Sequence, residues 1–212
     1  MKNTRFTPLQ IIIHIGAWLP LILLTIALFT GRLGVNPLQF LEQRTGRVAI
    51  TLLVLTLACT PLFKVFGWRE TIKRRRTLGL YTFLYAAIHA ILFLGVDLGL
   101  NWQFIKIEIF EKRYIQVGAI AFFLLFLMAL TSYKYWMKRL KKNWKRLHRS
   151  IYLIAPLVVL HYGWAKKGDL FQLQGDVLRP FIYGLIVLLL LSLRIPFVRD
   201  TLAGLRHRLS GT

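Results

Sequence analysis

The stretch IIIHIGAWLPLILLTIALFT, residues 11–30, decides the class of fold. It holds no Asp, Glu, Lys or Arg, and its length matches the ~20 residues a helix needs to cross ~30 Å of hydrocarbon. Outward from it, five more apolar segments follow, at 48–66, 78–96, 114–133, 147–165 and 178–193. Arg149 and Arg179 lie inside the edges of the last two, where long cationic side chains snorkel to the headgroups. Only 17% of the chain is charged, against about a quarter in soluble domains, and the mean hydropathy is +0.55. The reading is an all-α membrane protein, a six-transmembrane-helix bundle forming one domain over 1–212. No internal repeat, low-complexity tract or long linker is visible. Lys2 and Arg5 precede the first span as they would in a signal peptide. The span's length, the lack of a small-residue cleavage site and the later spans make it a retained helix.

Charge sets the orientation. The formal net charge is +21, a balance that in a soluble protein would suggest nucleic acid. Here it is concentrated between spans, so no nucleic-acid partner is inferred. Segments 1–10, 67–77, 134–150 and 194–212 carry +2, +4, +8 and +3, while 31–47, 97–113 and 166–177 carry +2, 0 and 0. The excess on one side places both termini in the cytoplasm. Trp68, Trp102, Trp136, Trp144 and Trp164 stand at or near span boundaries, where indole rings prefer to lie. Residues 134–149 interleave Trp136, Met137, Leu140, Trp144 and Leu147 with cations, like one interfacial amphipathic helix. Contact with anionic lipid accounts for that pattern, and a dock for FMN phosphate or a flavoprotein is the sharper reading.

The one cysteine, Cys59, lies in an apolar span and reads as a small buried hydrophobe. Without CxxC or CxxCH, neither c-type haem attachment nor cysteine-ligated iron–sulfur clusters are open to this chain. Ionisable groups inside spans mark functional sites. His14 lies in span one, His89 in span three, and His148 and His161 near the two ends of span five; His207 belongs to the basic tail.

Neutral imidazole is an effective axial ligand of haem iron, and a macrocycle between helices needs two on facing helices at equal depth. His89 stands 11 residues beyond Leu78, ~16 Å along its helix, and His161 stands 13 beyond His148, ~20 Å along its own. The two spans run the same way, so both histidines reach the outer half of the membrane. Gly79, Ala86, Ala87, Ala90 and Gly95 thin span three and allow close approach. On a straight helix His148 and His161 would stand roughly 140° apart, and Pro156 between them can alter that phase. The rival class is a small transporter or proton relay using the buried histidines. It calls for acidic partners inside the spans, and none of the six holds Asp or Glu.

Two stretches make the reading more specific. RRRTLGLYTFLYAAIHA (74–90) and NWKRLHRSIYLIAPLVVLHYGW (143–164) resemble the third and fifth spans of the ferric-reductase-like transmembrane family, and GRLGVNPLQFLEQRTGRVAI (31–50) and LTLACTPL (55–62) fit the same pattern. The resemblance covers nearly the whole chain. It implies a bacterial inner-membrane electron carrier with haem b and associated FMN. It further implies electrons taken on the inner side from the quinone pool or a cytoplasmic flavin reductase. These would go to a periplasmic molybdopterin subunit that reduces methionine sulfoxide in oxidised proteins. Carried onto this chain, the family's haem ligands fall on His89, His148 and His161. Relatives that stack two haems have a second histidine about four turns before the first on span three, and there this chain has Arg75. The residues thus account for one haem b, while a second needs a partner for His148. Arg75 would suit a haem propionate or an FMN phosphate, and His14, in the inner half of span one, is the alternative second ligand.

Overall fold

A computed structural model describes residues 7–166, 168–169, 174–175 and 177–195. Phe6 and the residues before it, and the tail beyond Ile195 with His207, lie outside the described residues.

Local chemistry starts the first two helices sharply. Thr7 caps α1 (Pro8–Phe29) and Asn36 caps α2 (Pro37–Phe66), each accepting from a backbone N–H of the first turn, with Pro in the first helical positions. Gly67, at φ 70°, closes α2 in the left-handed conformation. After one more residue α3 (Arg69–Ile91) begins, its first turns braced by Glu70 against Lys73 and Arg74. Hydropathy marked only the apolar parts of these two helices, from 48 and from 78. Both extend into polar sequence because the nearest stop signals are Asn36–Pro37 and Gly67.

α3 runs on into a π-helical turn, Leu92–Asp97, and Gly99 and Leu100, both at positive φ, redirect the chain into the short helix α4 (Trp102–Glu111). Lys112 alone separates α4 from α5 (Arg113–Leu130) and pairs with Glu108 at 2.7 Å. The basic segment 134–149 forms two short helices, α6 (Lys134–Leu140) and α7 (Lys142–His148), instead of the single interfacial helix expected. They break at Lys141, φ 47°, a conformation that a continuing helix does not admit. Then come α8 (Ile151–Trp164), an antiparallel pair of two-residue strands (Gly168↔Gly175, Asp169↔Gln174), and α9 (Leu178–Ser192).

α2 is the hub. One side packs with α3 through Leu52, Cys59, Leu78 and Tyr85. The other side places Leu53 and Leu57 against Ala121 and Leu125 of α5, Ile154 and Ala155 of α8, and Val187 and Leu190 of α9. α1 is peripheral, held where the Tyr85 hydroxyl donates to the Ala17 carbonyl at 2.6 Å. Ile11, Ile12, Ile15, Trp18, Ile22 and Leu23 face outward from it, the polarity expected of a lipid-facing surface.

Among the described residues, four helical segments are long and apolar enough to cross a membrane: Pro8–Phe29, Pro37–Phe66, Arg69–Asp97 and Arg113–Leu130. α8 and α9, with 14 and 15 residues, reach only ~21–23 Å at ~1.5 Å per residue. The expected fifth span is divided at Arg149–Ser150, and the expected sixth is shorter than the hydrocarbon is thick.

Candidate functional site

His89 stands in the last turn of α3 and His161 in the last turn of α8. Each reaches across to the beginning of a different helix. His89 Nδ1 donates to the Glu42 carbonyl of α2 at 3.0 Å, and His161 Nδ1 donates to the Tyr114 carbonyl of α5 at 2.8 Å. A carbonyl only accepts, so both protons sit on Nδ1 and each Nε2 keeps its lone pair. The ring centroids lie 6.2 Å apart with their planes at 79°. Two imidazoles axial to one metal, bonded at ~2.0–2.1 Å with each ring centre ~1.1 Å behind its nitrogen, hold their centroids about 6.3 Å apart. Tautomer and spacing therefore both fit a pair of axial ligands. No group of three or more His, Cys, Asp or Glu side chains that could hold a bare metal ion occurs among the described residues. Two ligands are what a metal needs when a macrocycle already fills its equatorial positions.

The seats under these rings come from residues that the sequence reading did not single out. A Cβ built on Gly46 of α2 would lie 3.4 Å from the His89 ring, and one on Gly118 of α5 only 2.6 Å from His161 Nδ1. Gly79, expected to thin span three, lies against Thr56 of α2, and Gly95 lies against Ile91, one turn back in the chain. The Tyr114 ring adds a side wall, 6.0 Å from His161.

Toward the other end of the bundle the arrangement differs. His148 closes α7, its Nδ1 donating to the Trp144 carbonyl of the same helix at 3.1 Å and its ring stacked on Trp144 at 4.0 Å. Trp144 in turn donates from Nε1 to the Thr131 carbonyl at the end of α5. Arg75 is half-buried, and its charge acts on His148, Cys59 and Arg194, whereas Arg76 is exposed. The structure thus gathers Arg75 and His148 at one end of the bundle. Arg194, another residue without a motif, donates to Tyr152 Oη at 2.6 Å and to the Leu57 carbonyl at 2.7 Å, and lies over the Tyr152 ring. Burial pushes its guanidinium below the usual arginine range, and Tyr152 offsets part of that. His14 meets Tyr81 of α3, Nδ1 to Oη at 2.7 Å, and α1 packs on α2 and α3. The phase between His148 and His161 is not that of one straight helix. Tyr152 and Leu153 bond three residues back, to Arg149 and Ser150, so the join is wound more tightly.

Comparison with known proteins identifies the family of the chain. The family described as "Ferric reductase like transmembrane component" matches residues 45–159. The "Protein-methionine-sulfoxide reductase heme-binding subunit MsrQ" of Xanthomonas campestris pv. campestris (strain B100) is 45% identical over 163 residues, 77% of this chain and 72% of the relative. The protein of the same name from Xanthomonas axonopodis pv. citri (strain 306) is 39% identical over 199 residues, covering 91% of this chain and 88% of the relative. That of Herminiimonas arsenicoxydans is 38% identical over 192 residues, 90% and 86% of the two chains. No solved structure matches the chain. With the family match spanning more than half the chain and MsrQ relatives aligned along most of their length, this chain belongs to the MsrQ family of ferric-reductase-like transmembrane proteins.

Proposed function

We propose that the chain is the haem-binding membrane subunit of a protein-methionine-sulfoxide reductase in a bacterial inner membrane. In this reading the whole of 1–212 is one six-span domain with both termini in the cytoplasm. Haem b held by the chain supplies a one-electron relay between the quinone pool or a cytoplasmic flavin reductase and the periplasmic molybdopterin subunit MsrP. The observation that carries the reading is the facing pair His89 and His161, with both Nδ1 protons committed to backbone carbonyls.

The chain's own residues have distinct parts. His89 and His161 would hold the haem iron through Nε2, and the Glu42 and Tyr114 carbonyls fix each ring's tautomer and raise its basicity. Both carbonyls belong to helix beginnings that the charge pattern puts on the outer side, so the pair stands toward the periplasmic acceptor. Arg75 and His148 belong to the cytoplasmic side, among the basic segments where a donor binds. A guanidinium stays charged and is a poor metal ligand, so Arg75 is assigned to a haem propionate or to the phosphate of an associated FMN. His148 is assigned to that inner redox site, with His14 as the alternative second ligand there. For α8 and α9 to span, the bilayer must thin locally or the flanking cations must snorkel.

An absorption spectrum of the purified chain tests the proposal. A Soret band with sharpened α and β bands on reduction is expected. A colourless protein after haem-replete expression sinks the reading in favour of a transporter or proton relay. Purified alone with NAD(P)H, the chain should not reduce methionine sulfoxide, and turnover without a partner would refute its role as a relay subunit.

A further inference from the structure

We infer that Gly46 and Gly118 are paired positioning residues that set the planes of the two axial imidazoles. The inference rests on the haem reading. In an α-helix the side chain of a residue leans back toward the N-terminus and covers the turn before it. A side chain four residues after a carbonyl therefore shields that carbonyl from a sideways partner. At Gly46 and Gly118 nothing shields it. The carbonyls four residues earlier, at Glu42 and Tyr114, accept the imidazole N–H groups in addition to their own helical bonds. The His161 ring lies so close to α5 that a Cβ at Gly118 would overlap Nδ1 at 2.6 Å, while one at Gly46 would meet the His89 ring at 3.4 Å, a tight but tolerable contact.

The device occurs twice in one register. Each imidazole bond spans 47 residues, and each seat glycine follows its carbonyl residue by one helical turn. A single shift of the chain carries Glu42 to Tyr114, Gly46 to Gly118 and His89 to His161. The same shift carries Cys59 to Thr131, and their carbonyls at the far ends of α2 and α5 both take a side-chain donor from the next segment of the chain. The donors are the Thr71 hydroxyl, at 3.1 Å, and Trp144 Nε1, at 2.8 Å. This correction to the absence of any visible repeat has a simple cause. The glycine and the histidine must match, while the carbonyls come from backbone and the lipid-facing residues between them drift freely. The two seats, tighter at Gly118 than at Gly46, hold the ring planes at 79°, not parallel.

The test uses the full-length haem-loaded protein and the variants Gly118→Ala, Gly46→Ala, Gly16→Ala and His161→Ala. A Cβ at Gly16 on α1 meets nothing within 4 Å, so that variant controls for a helical Gly→Ala change. Haem per protein, the ferric low-spin EPR line shape and the midpoint potential are read. Near-perpendicular imidazole planes give a strongly anisotropic ferric signal. Gly118→Ala should weaken haem retention on the order of 10-fold, the range for a partner that orients a ligand, with an altered line shape in what remains. Gly46→Ala should keep its haem and shift the line shape and potential, and Gly16→Ala should match the parent in all three. A parental line shape and potential in Gly46→Ala, whether or not Gly118→Ala accumulates, overturns the inference. So does parental haem content and line shape in Gly118→Ala. If His161→Ala loses haem while both glycine variants stay normal, the seats fail and the ligands stand. If His161→Ala keeps the parental signal, the ligand assignment itself fails.

Discussion

The two ends of the bundle hold their histidines in opposite ways. At the end that the proposed topology makes the outer one, His89 and His161 are each fixed by a carbonyl of another helix, 47 residues away in sequence. At the opposite end, the inner one in that topology, His148 bonds to Trp144, one turn back on its own helix, and is stacked on that residue's ring. Long-range anchors make the outer pair a property of the packed bundle, preorganised before any cofactor arrives. The hydrogen bond of His148 within α7, a seven-residue helix on a basic connection, is local, and the backbone of Met128 on α5 and the Trp144–Thr131 bond tie that helix to the bundle. The outer end offers neutral lone pairs, whereas the inner end offers cations, with Arg75 acting on both His148 and Arg194. Under the proposed function, one end would hold a metal and the other would receive anionic groups.

The largest effect should come from the outer pair itself. His89→Ala or His161→Ala should each remove most of the outer low-spin haem absorbance, measured as the reduced-minus-oxidised spectrum per protein. Retention of the parental spectrum in both would erase the distinction between the ends. His148→Ala should leave that outer signal in place, and slow electron delivery from a cytoplasmic-side donor several-fold in stopped-flow. Loss of the outer haem in this variant would show that the ends are not independent. Arg194→Gln removes the cation that joins α9 to α2 and Tyr152, and should cost about 1.5–3 kcal/mol, as hydrogen bonds to charged groups do. A graded-denaturant titration reads that cost, and the outer haem spectrum should not move. The smallest effect is expected at the α2 cap: Asn36→Ala should cost about 1 kcal/mol of stability. Equal stability of parent and variant under the same titration would remove the cap from the account of how Glu42 is held.

Sequence alone settled the features that one-dimensional chemistry dictates. Long uncharged runs separated by basic segments specify a helical membrane protein, because hydrocarbon excludes charge and demands helices whose backbone bonds close internally. His89 and His161 stood out because an imidazole inside such a run is costly, and the rise per residue placed them at one depth. Tertiary structure decided the features that depend on direction. Helix limits at Pro37 and Arg69 reflect caps and a left-handed glycine that hydropathy does not weigh. The tight winding at Arg149–Ser150 shortened α8 and changed the phase between His148 and His161, which arithmetic on a straight helix could not foresee. Gly46 and Gly118 were silent in the sequence because a glycine in an apolar helix looks like any packing residue. Their meaning comes from the ring lying against each, and the carbonyls of Glu42 and Tyr114 have no side-chain identity to read at all. A backbone acceptor is present at every residue, and only the packing of α2 on α3 and of α5 on α8 chose these two.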